Sequence, residues 1–383
     1  MNAREHEAQH LLQVYGQLPI EPTGADGVYL LEGKRKIIDL YGGHAAAALG
    51  YGHPDMLKAL NEQAGRMFFQ SNAIAMNVRA AAADTLAEFA PAGLNKVFFA
   101  NSGGEANENA LRLACKLTGR SRVAAITHGF HGRTAAAGAV TWGARDKWYG
   151  FPNTPFATDF IKRNETADIA GKITHETAAV IVELVQGIAG ALDLDVDFVH
   201  SLAAACAENG ALLIVDEIQS GMGRCGEPFV ADLYGVQPDI MTAAKSLAGG
   251  FPCAALVTTD AVAAETGSGD LGSTFGGGPL ASVLIKTVID VIKRDNLMLN
   301  VRSLSNYVAT KCPVGPVEGI QGKGFLLGLR CTRPAAEIRN ELLERDILVG
   351  TSNDPHVIRL MPPLITEQKH IELLIDCLAE LPA

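Results

Sequence analysis

The sequence lacks paired cysteines, long apolar runs and any excess of basic residues. Its seven cysteines stand singly, without a CxxC pair or another zinc spacing, so we expect reduced core residues, a cytoplasmic location and no metal site. No apolar run approaches the roughly 18 residues that cross a bilayer, which predicts no membrane-spanning segment. The N-terminus, MNAREHEAQH, is polar and mixed in charge, unlike a signal or transit peptide.

The balance of charge disfavours further classes of partner. With 42 acidic and 32 basic side chains, the formal net charge is −10, which argues against binding to nucleic acid or to an anionic membrane surface. A hydrophobic fraction of 48% and a charged fraction of 19% are typical of a globular protein with a large core. The length of 383 residues predicts two or three domains.

The order of the apolar segments predicts an α/β protein. From about residue 96 the pattern is strand, turn and helix, repeated, which is typical of a mainly parallel sheet covered by helices. After Gly278 the pattern changes, and we expect a smaller α+β domain. We therefore predict an N-terminal segment that joins the small domain (1–45), a large domain (46–278) and a small C-terminal domain (279–383).

The chain is organised around the stretch Leu212–Lys245. Leu212–Val215 is wholly apolar and rich in branched residues, as expected of a strand buried on both faces of a parallel sheet. Asp216 follows at the carboxyl end, where ligands bind in open α/β sheets. A second apolar segment, Ile240–Ala244, directly precedes Lys245. The aspartate and lysine are either a plain ion pair, or a carboxylate that holds a protonated ring nitrogen and an amine that binds a cofactor covalently.

The turn Asn101–Glu105, NSGGE, lies between a predicted strand and a predicted helix. Its glycines allow a close approach, and the start of the helix offers unpaired N–H groups and a positive dipole end, so the turn suits a phosphate. It matches neither GxGxxG nor GxxxxGK[ST], and a nucleotide is therefore not favoured. Together with Asp216, Lys245 and an aromatic ring at Phe130 for stacking, the turn fits pyridoxal 5′-phosphate.

A set of motifs covers nearly the whole chain, from about Tyr15 to Pro363. In order they are GVYLLEGKRKIIDLYGG, LGYGHP, FFANSGGEANENALRLA, FHGRT, LLIVDEIQSGMGRCG, DIMTAAKSLAGGFP, GSTFGGGPLA, GKGFLLGL and VIRLMPPL. In this order they resemble the class III pyridoxal-phosphate aminotransferases of fold type I, most closely the acetylornithine and succinylornithine aminotransferases. The resemblance implies an α/β fold, with a mainly parallel seven-stranded sheet in the large domain and a smaller α+β domain.

The resemblance also implies roles for individual residues toward pyridoxal 5′-phosphate. Lys245 is expected to join the cofactor covalently and to shuttle a proton, and Asp216 to pair with the ring nitrogen. The other expected cofactor-binding residues are Gln219 on the ring hydroxyl, Ile218 below the ring, Phe130 stacked on it, Ser102, Gly103 and Gly104 on the phosphate, and Thr274 on the phosphate of a partner subunit. The family is thus expected to be a homodimer with active sites at the subunit interface.

For the substrate, the resemblance implies that Arg133 binds the α-carboxylate, with Tyr15 nearby, and that Arg359 faces the distal carboxylate. One departure from the family pattern is Ile188, which stands where many members have a glutamate that pairs with this arginine and releases it for dicarboxylates. Arg359 is therefore expected either to stay free or to find another acid, and Glu183 is the nearest candidate in sequence. A free arginine favours a donor with an acidic tail, such as N-succinylornithine.

The predicted function is a transfer of the terminal amino group of an N-acylated ornithine, acetyl- or succinylornithine, to 2-oxoglutarate, giving the semialdehyde and glutamate. The resemblance places this reaction in arginine biosynthesis. An alternative is another class III ω-aminotransferase, with 4-aminobutyrate, ornithine or a lysine derivative as donor. A non-catalytic relative of the same fold is the rival from another class, but it would be expected to have lost the lysine or the aspartate, and both are present.

Overall fold

Short apolar segments rich in branched residues form the strands of the computed structural model, which describes residues 3–383. The strands are β1 (Gly24–Asp26), β2 (Tyr29–Glu32), β3 (Arg35–Asp39), β4 (Lys96–Ala100), β5 (Arg122–Ile126), β6 (Ala157–Ile161), β7 (Thr177–Val182), β8 (Val185–Gln186), β9 (Leu192–Asp193), β10 (Leu212–Asp216), β11 (Ile240–Ala243), β12 (Ala254–Thr258), β13 (Val317–Lys323), β14 (Leu326–Cys331), β15 (Ile347–Leu348), β16 (Gly350–Thr351) and β17 (Val357–Leu360).

The helices begin and end at recognisable capping signals. Pro54 and Pro279 occupy first helical positions, and Gly119, Gly210 and Gly235 end helices in the left-handed conformation. The helices are α1 (Ala3–Glu7), α2 (Gly42–Ala45), α3 (Pro54–Arg66), α4 (Asn77–Phe89), α5 (Gly103–Thr118), α6 (Ala135–Ala139), α7 (Ala144–Lys147), α8 (Val196–Asn209), α9 (Val230–Tyr234), α10 (Asp260–Ala264), α11 (Pro279–Arg294), α12 (Leu297–Lys311), α13 (Ala335–Glu344) and α14 (Gln368–Glu380).

A seven-stranded sheet forms the centre of the molecule, with the strand order β4-β12-β11-β10-β7-β5-β6. Only β12 runs antiparallel to its neighbours, β11 and β4, and the other pairs are parallel. All six residues of β7 are buried, as are the last four of β10, because helices cover both faces. The predicted mainly parallel, seven-stranded sheet is confirmed, and its carboxyl edge carries Asp216.

Two smaller four-stranded sheets combine residues from the two ends of the chain. One has the order β1-β2-β3-β15, in which β3 pairs in parallel with β15, and the other has the order β13-β14-β17-β16. The pairing of β3 with β15 ties the N-terminal segment to the C-terminal part of the chain. The domain borders at residues 45 and 278 themselves stay a prediction.

Several elements differ from the sequence-based expectation. The apolar run of residues 178–185 favours one continuous strand, but the strand ends at Val182, because the chain leaves the sheet there and Val185–Gln186 pairs instead with Leu192–Asp193. The sequence pattern also did not reveal β13, whose residues Val317–Lys323 include two glycines and only two aliphatic side chains. This strand is held by antiparallel pairing with β14, a long-range contact that local propensity does not encode.

Residues 3–383 contain no helix with the length and hydropathy that a membrane crossing requires. Over the same range no group of three or more His, Cys, Asp or Glu side chains is arranged to hold a metal ion.

Candidate active site

A cavity of about 490 Å³ lies at the carboxyl edge of the large sheet. Its walls come from the turn before α5, the loop after β5, the ends of β7, β10 and β11, and β17. It brings together every residue of the predicted site except Thr274, namely Tyr15, Ser102, Gly103, Gly104, Phe130, Arg133, Glu183, Asp216, Ile218, Gln219, Lys245 and Arg359. Residues far apart in sequence thus meet where parallel strands end.

The carboxylate of Asp216 is fixed by three donors. Its Oδ2 accepts hydrogen bonds from Nδ2 of Asn107 at 2.7 Å and from Nδ1 of His131 at 2.8 Å. Its Oδ1 accepts one from the backbone N–H of Ile218 at 3.0 Å. Asp216 and His131 are almost fully buried, and Asn107 is oriented in turn by the hydroxyl of Thr242 at 2.7 Å. A buried carboxylate held in this way is suited to keep a proton on a ring nitrogen.

The sequence did not single out Asn107 and His131 as functional residues. Asn107 lies next to Ala106 on the buried side of α5. A polar amide at a buried helix position needs a hydrogen-bond partner, and this was the feature of the sequence that could have pointed to it. His131 is the second residue of FHGRT. That motif does not indicate that the imidazole is buried with its Nδ1 against the carboxylate of Asp216.

Lys245 occupies the first position of a short 3₁₀ turn after β11, with φ of +48°. A left-handed conformation at a long side chain is strained, and such strain persists where the surrounding structure enforces it. Burial lowers the pKa of the Lys245 ammonium, and the negative charges of Asp216 and Glu183 act in the opposite direction. A lysine that loses its proton more easily is a better nucleophile toward a carbonyl group.

The turn NSGGE leads into a helix of 16 residues, Gly103–Thr118. Ser102 is its N-cap, and its Oγ accepts a hydrogen bond from the N–H of Glu105 at 3.2 Å. A Cβ at Gly103 would lie 2.7 Å from Cδ1 of Ile218, so only glycine lets that side chain reach the cavity beside the turn. The free N–H groups at the helix start form an anion site, and the turn fits a phosphate group.

Beside Phe130, the wall of the cavity contains a buried acid, Glu183. The backbone N–H of Phe130 donates to Oε2 of Glu183 at 2.9 Å, and the N–H of Gly187 donates to Oε1 at 3.4 Å. Burial is the main cause that raises the pKa of Glu183 to about 7. Glu183 therefore joins two loops of the wall.

Arg359 is 4% exposed, and only backbone carbonyls hold its guanidinium. Its Nε donates to the carbonyl of Thr351 at 2.7 Å and its Nη1 to that of Gly187 at 3.3 Å. No carboxylate of residues 3–383 lies within 4 Å of it, so Glu183 is not its partner as suggested from the sequence. Glu183 directs its two oxygens to the backbone amides of Phe130 and Gly187, and its charge acts on Arg359 only from beyond ion-pair distance.

The remaining predicted residues differ in how far they enter the site. Arg133 is exposed at the cavity, lies 4.5 Å from the ring of Trp148, and makes no ion pair within the described chain. Gln219 fits against Gly187, where a Cβ would come within 1.7 Å of its Oε1. Tyr15 is 83% exposed at the cavity. Thr274 lies outside the lining, on an exposed loop.

A lysine whose pKa is lowered by burial, a fixed carboxylate at a sheet edge and a helix start that fits phosphate meet in one cavity of an open α/β sheet. Together they define a pyridoxal-phosphate enzyme of fold type I. Residues 13–381 match the family model of the class-III aminotransferases, so the chain belongs to that family. It is a pyridoxal-phosphate-dependent aminotransferase, as the resemblance implied.

Curated relatives support this membership over the whole chain. The sequence is 34% identical to the acetylornithine aminotransferase of Methanosarcina acetivorans, over 98% of this chain and 95% of that protein. It is 35% identical to the acetylornithine aminotransferase of Archaeoglobus fulgidus, over 97% of this chain and 98% of that protein.

Solved structures of similar enzymes share the fold. The acetylornithine aminotransferase of Elizabethkingia anophelis is 26% identical and superposes with a TM-score of 0.87, covering 99% of this chain and 98% of its own. The ornithine aminotransferase of Toxoplasma gondii, described with partial occupancy of PLP at its active site, is 25% identical with a TM-score of 0.92, covering 98% and 92%. The fold class and the cofactor predicted from the sequence are thereby confirmed.

Proposed function

We propose that this aminotransferase moves the terminal amino group of an N-acylated ornithine, acetyl- or succinylornithine, to 2-oxoglutarate, with the semialdehyde and glutamate as products. The observation that carries the proposal is the pair of guanidinium groups at one cavity, Arg133 and Arg359, neither of which has a carboxylate partner among residues 3–383. Two free guanidinium groups suit a substrate with two carboxylates, because the planar fork binds a carboxylate bidentately. The similar enzymes of Methanosarcina acetivorans and Archaeoglobus fulgidus are acetylornithine aminotransferases, which supports an N-acylornithine donor.

Each cavity residue has a task in this proposal. When bound, pyridoxal 5′-phosphate supplies an electron-accepting ring that stabilises negative charge on the substrate carbon. Asp216 keeps the proton on the ring nitrogen, and Nζ of Lys245 moves a proton between the substrate and the cofactor. Ser102, Gly103 and Gly104 hold the phosphate, and Ile218 packs against the ring.

A donor panel without an acceptor tests the first half of the reaction. We expect N-acetylornithine and N-succinylornithine to bleach the yellow protein faster than ornithine or 4-aminobutyrate do, as seen by stopped-flow absorbance. Faster bleaching by 4-aminobutyrate would replace the proposal with the alternative ω-aminotransferase.

The loop around Ile188 is proposed to leave Arg359 permanently available for an acidic group. The carbonyl of Gly187, the preceding residue, accepts from Arg359, and Ile188 itself lines the cavity. We therefore expect Ile188→Glu to raise KM for N-succinylornithine about tenfold, because the new carboxylate competes for the guanidinium. KM for N-acetylornithine should change less than about threefold.

Two companion variants sharpen this test. In Ile188→Gln the new side chain has the size of the glutamate in Ile188→Glu but no charge. This variant should leave both KM values near those of the wild type. Arg359→Ala should raise KM for 2-oxoglutarate, with less effect on a neutral donor. Equal effects of Ile188→Glu on acidic and neutral donors would mean that Arg359 only supports the structure.

We also propose a homodimer whose active sites lie at the subunit interface. Large apolar side chains that are 44–70% exposed cluster beside the loop of Thr274: Met67, Phe68, Phe69, Ile74 and Phe275. The rings of Phe69 and Phe275 are 5.2 Å apart, and Asn72 donates to the carbonyls of Ser273 and Gly276, so the segment 67–74 packs against the loop of Thr274. An exposed apolar patch of this kind is typical of a protein–protein interface.

In this dimer Thr274 reaches the phosphate bound by the partner subunit. We expect Thr274→Val to weaken cofactor affinity about three- to tenfold, because one hydrogen bond to a charged group is lost. Equilibrium dialysis with pyridoxal 5′-phosphate measures the change, and Thr310→Val, on the exposed face of α12, is the matched control. Unchanged affinity in a stable dimer would remove Thr274 from the site.

A further inference from the structure

A left-handed turn enters the active-site cavity beside Lys245. Four successive residues, Gly42, Gly43, His44 and Ala45, have φ of +59°, +56°, +63° and +69°. The last two carry side chains, for which this conformation is unfavourable. His44, the third residue, lines the cavity. The motifs that predicted the site assign His44 no role. Strained backbone is often found at functional sites, so we expect this residue to have a function.

Both ends of the turn are held firmly. Oδ1 of the buried Asp39 accepts from the backbone N–H groups of Tyr41 and Gly42, both at 2.8 Å, and its Oδ2 accepts from the hydroxyl of Tyr51 at 2.5 Å. At the other end, the carbonyl of Ala45 accepts from Oγ of Ser246 at 2.7 Å. Because Ser246 directly follows Lys245, the turn is fixed relative to the reactive lysine.

The turn places the imidazole of His44 against Tyr41, whose ring also contacts the guanidinium of Arg359. The hydroxyl of Tyr41 contacts Nδ1 of His44 and lies 3.2 Å from its Nε2. The guanidinium carbon of Arg359 lies over the Tyr41 ring, 5.9 Å from its centre. Gly350 makes room for this ring, because a Cβ there would lie 2.3 Å from Cε2 of Tyr41.

Two cationic side chains, Arg359 and Lys245, lie near enough to His44 to act on its charge. Burial lowers its pKa, and the charges of Arg359 and Lys245 lower it further. No carboxylate of residues 3–383 forms an ion pair with His44 or Arg359. When the Tyr41 hydroxyl donates to Nδ1, the proton of the neutral ring is on Nε2. The cavity thus offers a guanidinium and an N–H donor that form no ion pair with its acids, Glu183 and Asp216, and such a pair of donors suits an anion.

We propose that His44, oriented by Tyr41, donates a hydrogen bond to the substrate carboxylate bound by Arg359, and so determines specificity for dicarboxylates. This inference rests on the proposed function, in which Arg359 binds the distal carboxylate. The inference adds His44 to this subsite: without its imidazole, the enzyme should lose part of its preference for a dicarboxylate over a monocarboxylate. The strained turn serves to bring the imidazole to that carboxylate.

Glutarate and pentanoate test this subsite without turnover, because they have the same chain length and differ by one carboxylate. Isothermal titration of the holoenzyme should show glutarate binding more tightly than pentanoate. His44→Asn keeps a residue that tolerates the left-handed conformation but is too short to reach the ligand. It should weaken glutarate at least about tenfold and pentanoate less than about twofold. Tyr41→Phe should weaken glutarate less than His44→Asn does, again with little effect on pentanoate.

The control is His175→Asn, which changes an exposed histidine in the turn before β7 and should bind both acids as the wild type does. Equal weakening of both acids by His44→Asn, or a wild type without preference for glutarate, would overturn the subsite. A wild type that prefers glutarate and loses the preference in His44→Asn, yet does not transaminate 2-oxoglutarate, would refute the proposed acceptor and leave the subsite standing.

Discussion

Replacing Lys245 with alanine should lower transamination by at least about a thousandfold and leave the fold intact. The amine is the group that we propose joins the cofactor covalently, and no other lysine lines the cavity in the part of the chain that the structure describes. The wild type, reduced with borohydride, should therefore carry the cofactor mass on the peptide that contains Lys245. The variant should carry none, and its circular dichroism should match that of the wild type.

Lys323→Ala is the matched control, since this half-buried lysine pairs with Asp193 at 3.1 Å and does not line the cavity. It should keep its activity within about twofold, because an ion pair of this exposure contributes little to stability. Wild-type turnover in Lys245→Ala, or cofactor trapped on a different lysine, would refute the assignment of the catalytic lysine.

Asp216→Asn should retain the cofactor and lose activity by roughly a hundredfold, equivalent to about 2.7 kcal/mol of barrier. The cofactor should stay bound in this variant, because the proposed contacts to the turn NSGGE and to Lys245 are unchanged. A neutral amide, however, no longer stabilises a proton on the ring nitrogen, so the ring accepts electrons less readily. Single-turnover kinetics with a saturating amino donor measure the loss on the chemical step.

Asp239→Asn provides the control. Asp239 lies just before β11, and its carboxylate accepts from the N–H of Leu213 at 2.8 Å, away from the cavity. Its loss should lower the melting temperature and leave the single-turnover rate within about twofold. A fall of less than about tenfold in Asp216→Asn, or 1.4 kcal/mol of barrier, would contradict the role given to this carboxylate.

Much of the large domain could be predicted from the sequence, because its signals are local. The apolar runs Leu212–Val215 and Ile240–Ala244 directly precede Asp216 and Lys245, and both runs form strands of the central sheet. The turn NSGGE lies at the start of a long helix, as its glycines and serine indicate. Elements such as β13 were missed because they depend on pairing with a distant strand.

The site could be predicted only as far as its motifs reach. The partners of Asp216, which are Asn107 and His131, come from α5 and from the loop after β5, and their meeting depends on how these elements pack. Glu183 was suggested as the partner of Arg359 because of its position in sequence, yet its oxygens face the amides of Phe130 and Gly187. The direction of a side chain in the loop after a strand depends on how that loop folds. The spacing of residues in the sequence does not encode this direction.

The measurement that tests the central claim most directly is glutamate formation from 2-oxoglutarate with four amino donors: N-acetylornithine, N-succinylornithine, ornithine and 4-aminobutyrate. The proposed function predicts that kcat/KM for at least one N-acylated ornithine exceeds that for ornithine and for 4-aminobutyrate by about tenfold or more, which is roughly 1.4 kcal/mol of transition-state binding. A higher kcat/KM for 4-aminobutyrate or for free ornithine would contradict it.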